Sequence, residues 1–236
     1  QLDHPEWRGR PVIVGGSAER RGVVSTASYE ARPYGVHSAM PSYQAIRLCP
    51  DAIWTQGRFA RYRELSAKVM SLIERETPRV EQVSIDEAFF DVTPGRYSRE
   101  DPVLICKRIQ EMISDLGISC SIGLGQNKTV AKIASERDKP HGLCVVMPGR
   151  AAEFLAPLPV EALSGVGPST KDRLKKMGIR TLGQLAQAEV EKMRRVFGVH
   201  GPKMVQRAAG RETSKVTSIA HRSTPKSVSN ERTFSH

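Results

Sequence analysis

The apolar positions of this chain change period several times, and each change predicts an element. Arg10-Pro11-Val12-Ile13-Val14-Gly15-Gly16 is a short apolar run closed by glycine, which predicts a buried strand. Residues 20–47 are polar and small with Gly and Pro interruptions, so short helices and loops are expected there. From about 59 to 75, Phe59, Tyr62, Leu65, Val69, Leu72 and Ile73 recur at helical spacing, and Pro78 stops the run. Val80 to Ile85 and Ala88 to Val92 are β-prone runs separated only by Asp86-Glu87. Asp101 as N-cap and Pro102 at the first helical position open a helix with a core face of Cys106, Ile109, Ile113 and Leu116. Ile118, Cys120, Ile122 and Leu124 alternate as in a half-buried strand. A helix over 127–137 follows, and Pro140-His141-Gly142 turns it into a strand over 143–147.

From residue 59 the order is therefore helix, strand, strand, helix, strand, helix, strand. That order contains most of a ferredoxin-like α+β unit. Such a unit wants a strand before its first helix, and the expected candidate lies upstream of Gln1. A sheet without that strand exposes unpaired edges, so local disorder or rearrangement is expected there. After Pro148 the pattern becomes helical, punctuated by Gly165, Gly167, Pro168, Gly178, Gly198 and Gly201-Pro202. From Thr213 the chain turns Ser/Thr-rich and basic, and 213–229 reads as a linker. The two ends look like those of a piece of a longer protein.

Charge sharpens this division. The 236 residues carry 36 Lys and Arg against 25 Asp and Glu, a net charge of +11. Residues 1–147 hold 20 bases and 18 acids, whereas 148–236 hold 16 and 7. The acids that could do chemistry sit mostly in the first part and the polyanion footprint in the second. Charge alone leaves DNA, RNA and an acidic membrane surface open. No apolar run approaches the roughly 20 residues of a membrane span. Cys49, Cys106, Cys120 and Cys144 form no Cys-x-x-Cys pair and read as small buried hydrophobes of a reduced, cytoplasmic protein.

Four segments carry candidate chemistry. Asp86 and Glu87 at a tight strand-to-strand turn could converge on one Mg²⁺ or Mn²⁺ site, since a cation relieves the repulsion of two carboxylates. Taken alone, the pair reads first as a solvated hairpin turn. Thr26-Ala27-Ser28-Tyr29-Glu30-Ala31-Arg32 could present a hydroxyl, a phenol and a guanidinium to a polyphosphate, or be an ordinary surface helix. Lys139, between a helix end and a Pro turn, could be a point charge for phosphate or a solvated loop Lys. Gly165-Val166-Gly167 ahead of a helix start, with Lys171 and Lys175 nearby, has the pattern of a helix-hairpin-helix that grips a DNA backbone. Its plain alternative is a Gly-rich helix connection.

With these pieces in this order, the sequence resembles the Y-family, DinB-type translesion DNA polymerases. The strongest segments are 24–32, Ser84-Ile85-Asp86-Glu87-Ala88, 125–135 and Pro140-His141-Gly142. The resemblance implies a small α/β fingers domain over 1–58 and a ferredoxin-like palm over 59–147. It also implies a helical thumb over 148–213, then a linker and the start of a little finger over 214–236. It implies that Asp86 and Glu87 are catalytic and bind two Mg²⁺ ions, with Mn²⁺ able to substitute. Thr26, Tyr29, Arg32 and Lys139 then bind the triphosphate, and Val23 and Ser25 cover the nascent base pair. Gly165, Val166, Gly167, Lys171 and Lys175 bind DNA.

The implied partners are primer–template DNA and deoxynucleoside triphosphates, with a sliding clamp binding a segment outside this chain. The implied state is a cytoplasmic monomer. The family also opens with a strand bearing a further metal-binding Asp, and nothing before Leu2 supplies it. Asp3 aligns with a loop and is no substitute. Two other readings stand beside the polymerase: a non-catalytic DNA-binding module, and a nucleotide cyclase with a similar palm.

Overall fold

The structure is a computed structural model that describes residues 1–218 and 227–230. It is α+β and forms two compact units, Gln1–Ala67 and Lys68–His236.

In the first unit, β1 (Val12–Gly15) is the central strand of three. It pairs antiparallel with β2 (Val24–Ala27) and parallel with β3 (Ile53–Thr55). Strand β1 lies where the sequence places it. Strands β2 and β3 were not expected, because Val24-Ser25-Thr26-Ala27 holds one large apolar residue and only pairing to β1 makes it a strand. Helix α1 (Ser42–Leu48) closes a small core of Ile13, Val24, Ala27, Ala31, Val36, Met40, Ala45 and Cys49. The entry loop is fastened by Asp3, whose carboxylate accepts from Arg58 at 2.7 Å and from Arg61 at 3.1 Å.

Helix α2 (Phe59–Glu76) crosses the boundary between the units, and its Met70 and Ile73 enter the core of the second. There β4 (Val80–Gln82) and β5 (Ala88–Phe90) form an antiparallel hairpin. Helix α3 (Pro102–Ser114) starts as the sequence predicts: Asp101 caps it through the Val103 N–H at 2.8 Å, with Pro102 following. Ile105, Cys106, Ile109 and Ile113 are buried, while Leu116 lies beyond the helix and is only half-buried. Strand β6 (Ile122–Leu124) pairs parallel with β7 (Leu143–Val145). Among the described residues these four strands form two separate two-stranded sheets.

The predicted strand at 118–124 is shorter than its apolar alternation. The Gln110 side chain donates to the Cys120 carbonyl at 3.1 Å, so that acceptor is satisfied without a strand partner. Helix α4 (Lys128–Arg137) lies directly on β6. A Cβ on Gly123 would fall 2.0 Å from the Ala131 carbonyl oxygen, and one on Gly142 would fall 2.1 Å from that of Asp138.

Between 151 and 208 the elements are helices: α5 (Ala151–Leu155), α6 (Pro168–Lys176), α7 (Leu182–Ala186), α8 (Val190–Phe197) and α9 (His200–Ala208). Leu155, Leu163, Leu174, Leu182, Leu185 and Met193 are fully buried, and Val130, Ile133 and Ala134 of α4 join their core. After α9, Gly210 accepts from the Asn127 side chain at 2.8 Å and Glu212 accepts from Thr129, so this segment returns to the start of α4. The expected linker and start of a further domain at 214–236 lie largely outside the described residues. No helix among the described residues is long and apolar enough to cross a membrane.

Candidate functional site

The β4–β5 hairpin opens earlier than its apolar runs suggest. The N–H groups of Val83 and Ser84 both donate to the Glu87 carbonyl, at 2.9 and 3.2 Å, so 83–87 is a loop rather than strand. Asp86 and Glu87 are exposed on it. The Ser84 hydroxyl donates to Asp86 Oδ1 at 2.5 Å, and the Asp86 N–H donates back to Ser84 Oγ at 3.3 Å.

Glu87 is tied to α4. Its Oε1 lies 2.5 Å from Lys132 Nζ, and Lys132 also reaches Glu136 at 2.9 Å, one helical turn on. Lys139, just past the helix end, reaches the same Glu136 at 2.7 Å. The sequence-predicted Glu87 and Lys139 are thus joined by an alternating array of charge, Glu87–Lys132–Glu136–Lys139. Burial pushes Glu136 upward, but hydrogen bonds from Lys139 and Lys132 outweigh it and hold the carboxyl below its ordinary range. Burial likewise works against the Lys132 ammonium, and its bonds to Glu87 and Glu136 outweigh that and raise it. Neither Lys132 nor Glu136 was singled out from sequence. Their i, i+4 spacing on α4, with Lys139 three residues later, is the signal that could have found them.

A second pair, Lys128 and Glu81 at 2.6 Å, lies nearby in the same unit. The Thr217 N–H and hydroxyl close on the same Glu81 oxygen at 2.7 and 3.0 Å.

The remaining nucleotide candidates belong to the first unit. Arg32 stacks its guanidinium 4.3 Å over the Tyr29 ring and donates from Nε to the Ala27 carbonyl at 3.2 Å. That leaves the outer guanidinium nitrogens as a fork beside an exposed phenol. Thr26 is exposed on β2. Ser25 on β2 and Val23 just before it are exposed too, and their spacing of two puts them on one face.

In the helical part, Gly165 adopts a left-handed φ of +93°, and Gly167 is the N-cap of α6 with no side-chain cap. Pro168 follows at the first helical position, so the first-turn amides point outward. Val166, Gly167, Pro168, Lys171, Asp172, Lys175 and Glu161 line a shallow depression there. Lys171 is paired with Glu161 at 2.6 Å, while no partner for Lys175 is found among the described residues.

The chain is similar to known proteins. A model of the impB/mucB/samB family matches residues 1–136, and that of the DNA polymerase-iota thumb domain matches 161–208. The chain is 43% identical over 236 residues to DNA polymerase IV of Lactococcus lactis subsp. cremoris strain SK11, covering 98% of this chain and 64% of the relative. It is also 43% identical to DNA polymerase IV of Alkalilimnicola ehrlichii, covering 99% and 65%. Among solved structures, DinB from Sulfolobus solfataricus superposes with a TM-score of 0.83 at 29% identity, covering 91% of this chain and 64% of that one. The insertion ternary complex of Dbh DNA polymerase gives 0.84 at 29%, with the same coverage. The chain therefore spans just under two thirds of the length of these relatives.

Proposed function

Since the chain belongs to the impB/mucB/samB family, we propose that the protein is a template-directed DNA polymerase of the lesion-bypass type. It adds deoxynucleotides to a primer 3′ end, and its partners are primer–template DNA and deoxynucleoside triphosphates. In this reading 1–58 are fingers, 59–147 palm, 148–213 thumb, and 214–236 begin a further domain. The observation that carries the reading is the placement of Asp86-Glu87 at an exposed hairpin tip, joined through Lys132 and Glu136 to Lys139.

The donor set fits divalent cations. Asp86 and Glu87 offer only oxygens, which suit Mg²⁺ with Mn²⁺ as a substitute. The group that Glu87 already holds is itself a cation. Among the described residues no set of three or more Asp, Glu, His or Cys side chains gathers there, so Asp86 and Glu87 are the two carboxylates offered. Divalent ions held by Asp86 and Glu87 would supply activation of the primer hydroxyl and neutralisation of the leaving pyrophosphate.

The chain's residues supply position and charge, which is most of what phosphoryl transfer asks of a protein. Asp86 and Glu87 would hold the ions, with Asp86 oriented by its bond from Ser84. Arg32 and Tyr29 present a fork and a hydroxyl to phosphate oxygens, Thr26 adds a second hydroxyl, and Lys139 adds a point charge. Val23 and Ser25 are small enough to cover a base pair loosely. The Gly165–Gly167 turn, with Lys171 and Lys175, holds a DNA backbone.

Primer extension with Mg²⁺ tests this, comparing the protein with its Asp86→Ala and Glu87→Ala variants. Extension should fall by roughly a hundredfold or more, as when a charge-stabilising group is removed from other enzymes, while DNA binding stays. Unchanged extension would overturn the metal assignment. Salt-sensitive DNA binding without extension by the unaltered protein would leave a DNA-binding module. Dinucleotide formation without a primer would make it a cyclase.

A further inference from the structure

Resting on that reading of Asp86 and Glu87, we propose that Lys132 is a positioning residue. It is a resident counter-ion that holds Glu87 while no metal is bound and yields it to an arriving divalent cation. The hairpin loop is otherwise braced from within, by the bonds of Val83 and Ser84 to the Glu87 carbonyl and by the Ser84–Asp86 turn. The Lys132 contact spans 45 residues of sequence and fixes the Glu87 carboxylate against the face of α4. Two neighbouring carboxylates repel, and one ammonium relieves part of that repulsion.

A divalent ion on the same oxygens would meet Lys132 as a like charge, so the two compete. Glu136 makes the exchange cheap. It already shares Lys132 at 2.9 Å, so the ammonium leaves Glu87 without being stranded. Glu136 also holds Lys139 at 2.7 Å. Once Lys132 belongs wholly to Glu136, that carboxylate has less charge to offer Lys139, which is then freer to meet a triphosphate. Cation arrival and triphosphate capture are coupled through one glutamate.

The test is Mn²⁺ binding to the 236-residue chain, read by electron paramagnetic resonance. It compares the unaltered chain with Lys132→Met, Lys132→Gln, Lys132→Arg and the double variant Asp86→Asn/Glu87→Gln. Lys132→Met and Lys132→Gln should bind Mn²⁺ roughly three- to tenfold more tightly. That is the range of an exposed ion pair, enlarged by the double charge of the competitor. Lys132→Arg should stay within about twofold of the unaltered chain, because it keeps the charge.

A role confined to folding would move thermal stability without tightening the ion. If the double variant loses Mn²⁺ while both neutral Lys132 variants bind it no better than the unaltered chain, the counter-ion proposal is overturned and the carboxylate site stands. If the double variant binds as well as the unaltered chain, the carboxylate reading itself is overturned, and the proposal with it. The two neutral variants guard against one of them failing to fold.

Discussion

A single oxygen of Glu212, Oε2, accepts both the backbone N–H of Thr129 at 2.9 Å and its hydroxyl at 2.6 Å. Arg207 completes the knot by donating to the same Thr129 hydroxyl at 2.8 Å. The carboxylate thus caps the first turn of α4, where orphan amides and the helix dipole favour negative charge. Burial raises the Glu212 carboxyl, but hydrogen bonds from Ser214 and Thr129 outweigh it and the net shift is downward. The folded chain therefore binds this proton less tightly than the unfolded one. The stabilisation is complete above the ordinary value of 4.5 and is lost as pH falls through the lower folded value. Glu212→Gln should cost about 1 kcal/mol at pH 7, and the gap to the unaltered chain should close as pH falls below the ordinary carboxylate value and through the lower folded one. Thermal melts across that range check both.

Arg32→Lys keeps the charge but removes the planar fork and the stack on Tyr29. The expected result is a rise of about fivefold in KM for the incoming nucleotide, the loss of one charge-assisted bond, with DNA affinity unchanged. Steady-state extension against a DNA-binding titration separates the two.

The lysines beside the Gly165–Gly167 turn should differ. Lys175 has no partner among the described residues, so Lys175→Ala should reduce the slope of log affinity against log salt by about one. Lys171 is occupied by Glu161, which lowers the Glu161 carboxyl through its hydrogen bond. Lys171→Ala should therefore reduce the slope by less. Glu161→Gln should free Lys171 and tighten DNA binding at low salt. Salt titrations of DNA affinity give each slope directly.

Burial pushes the Cys106 thiol up to about 12 and the Cys120 thiol up to about 11. Neither is a thiolate at neutral pH, and both should resist alkylation at pH 8 until the chain unfolds. Mass spectrometry after a timed pulse of reagent, with and without denaturant, reads this. Rapid labelling of Cys106 in the native state would contradict the packing described for α3.

The long elements were legible because their signals are local. Asp101-Pro102 announces α3, and Asn127 caps α4 through the Val130 N–H at 3.0 Å. The errors share one cause. Val83 and Ile85 look β-prone, yet the bonds of Val83 and Ser84 to one carbonyl make a turn of them. Strand β2 exists through pairing with β1, which no local pattern encodes. The site was half legible for the same reason. Asp86, Glu87 and Lys139 stand in recognisable segments. The link between them runs through Lys132 across a gap of 45 residues, and the partner of Lys171 is likewise set by tertiary structure.

Gly123 seats the middle of α4, and Gly142 its C-terminal cap, with backbone close against backbone. A helix resting on side chains can drift as those side chains are exchanged for larger or smaller ones. At the two glycines this one has no such shim, although Val130, Ile133 and Ala134 pack by their side chains on the helical core. Over evolutionary time the core beneath α3 can change its residues while Lys132, Glu136 and Lys139 keep their heights above the hairpin. Accuracy in the placement of three charges thus rests in part on two positions that carry no side chain at all.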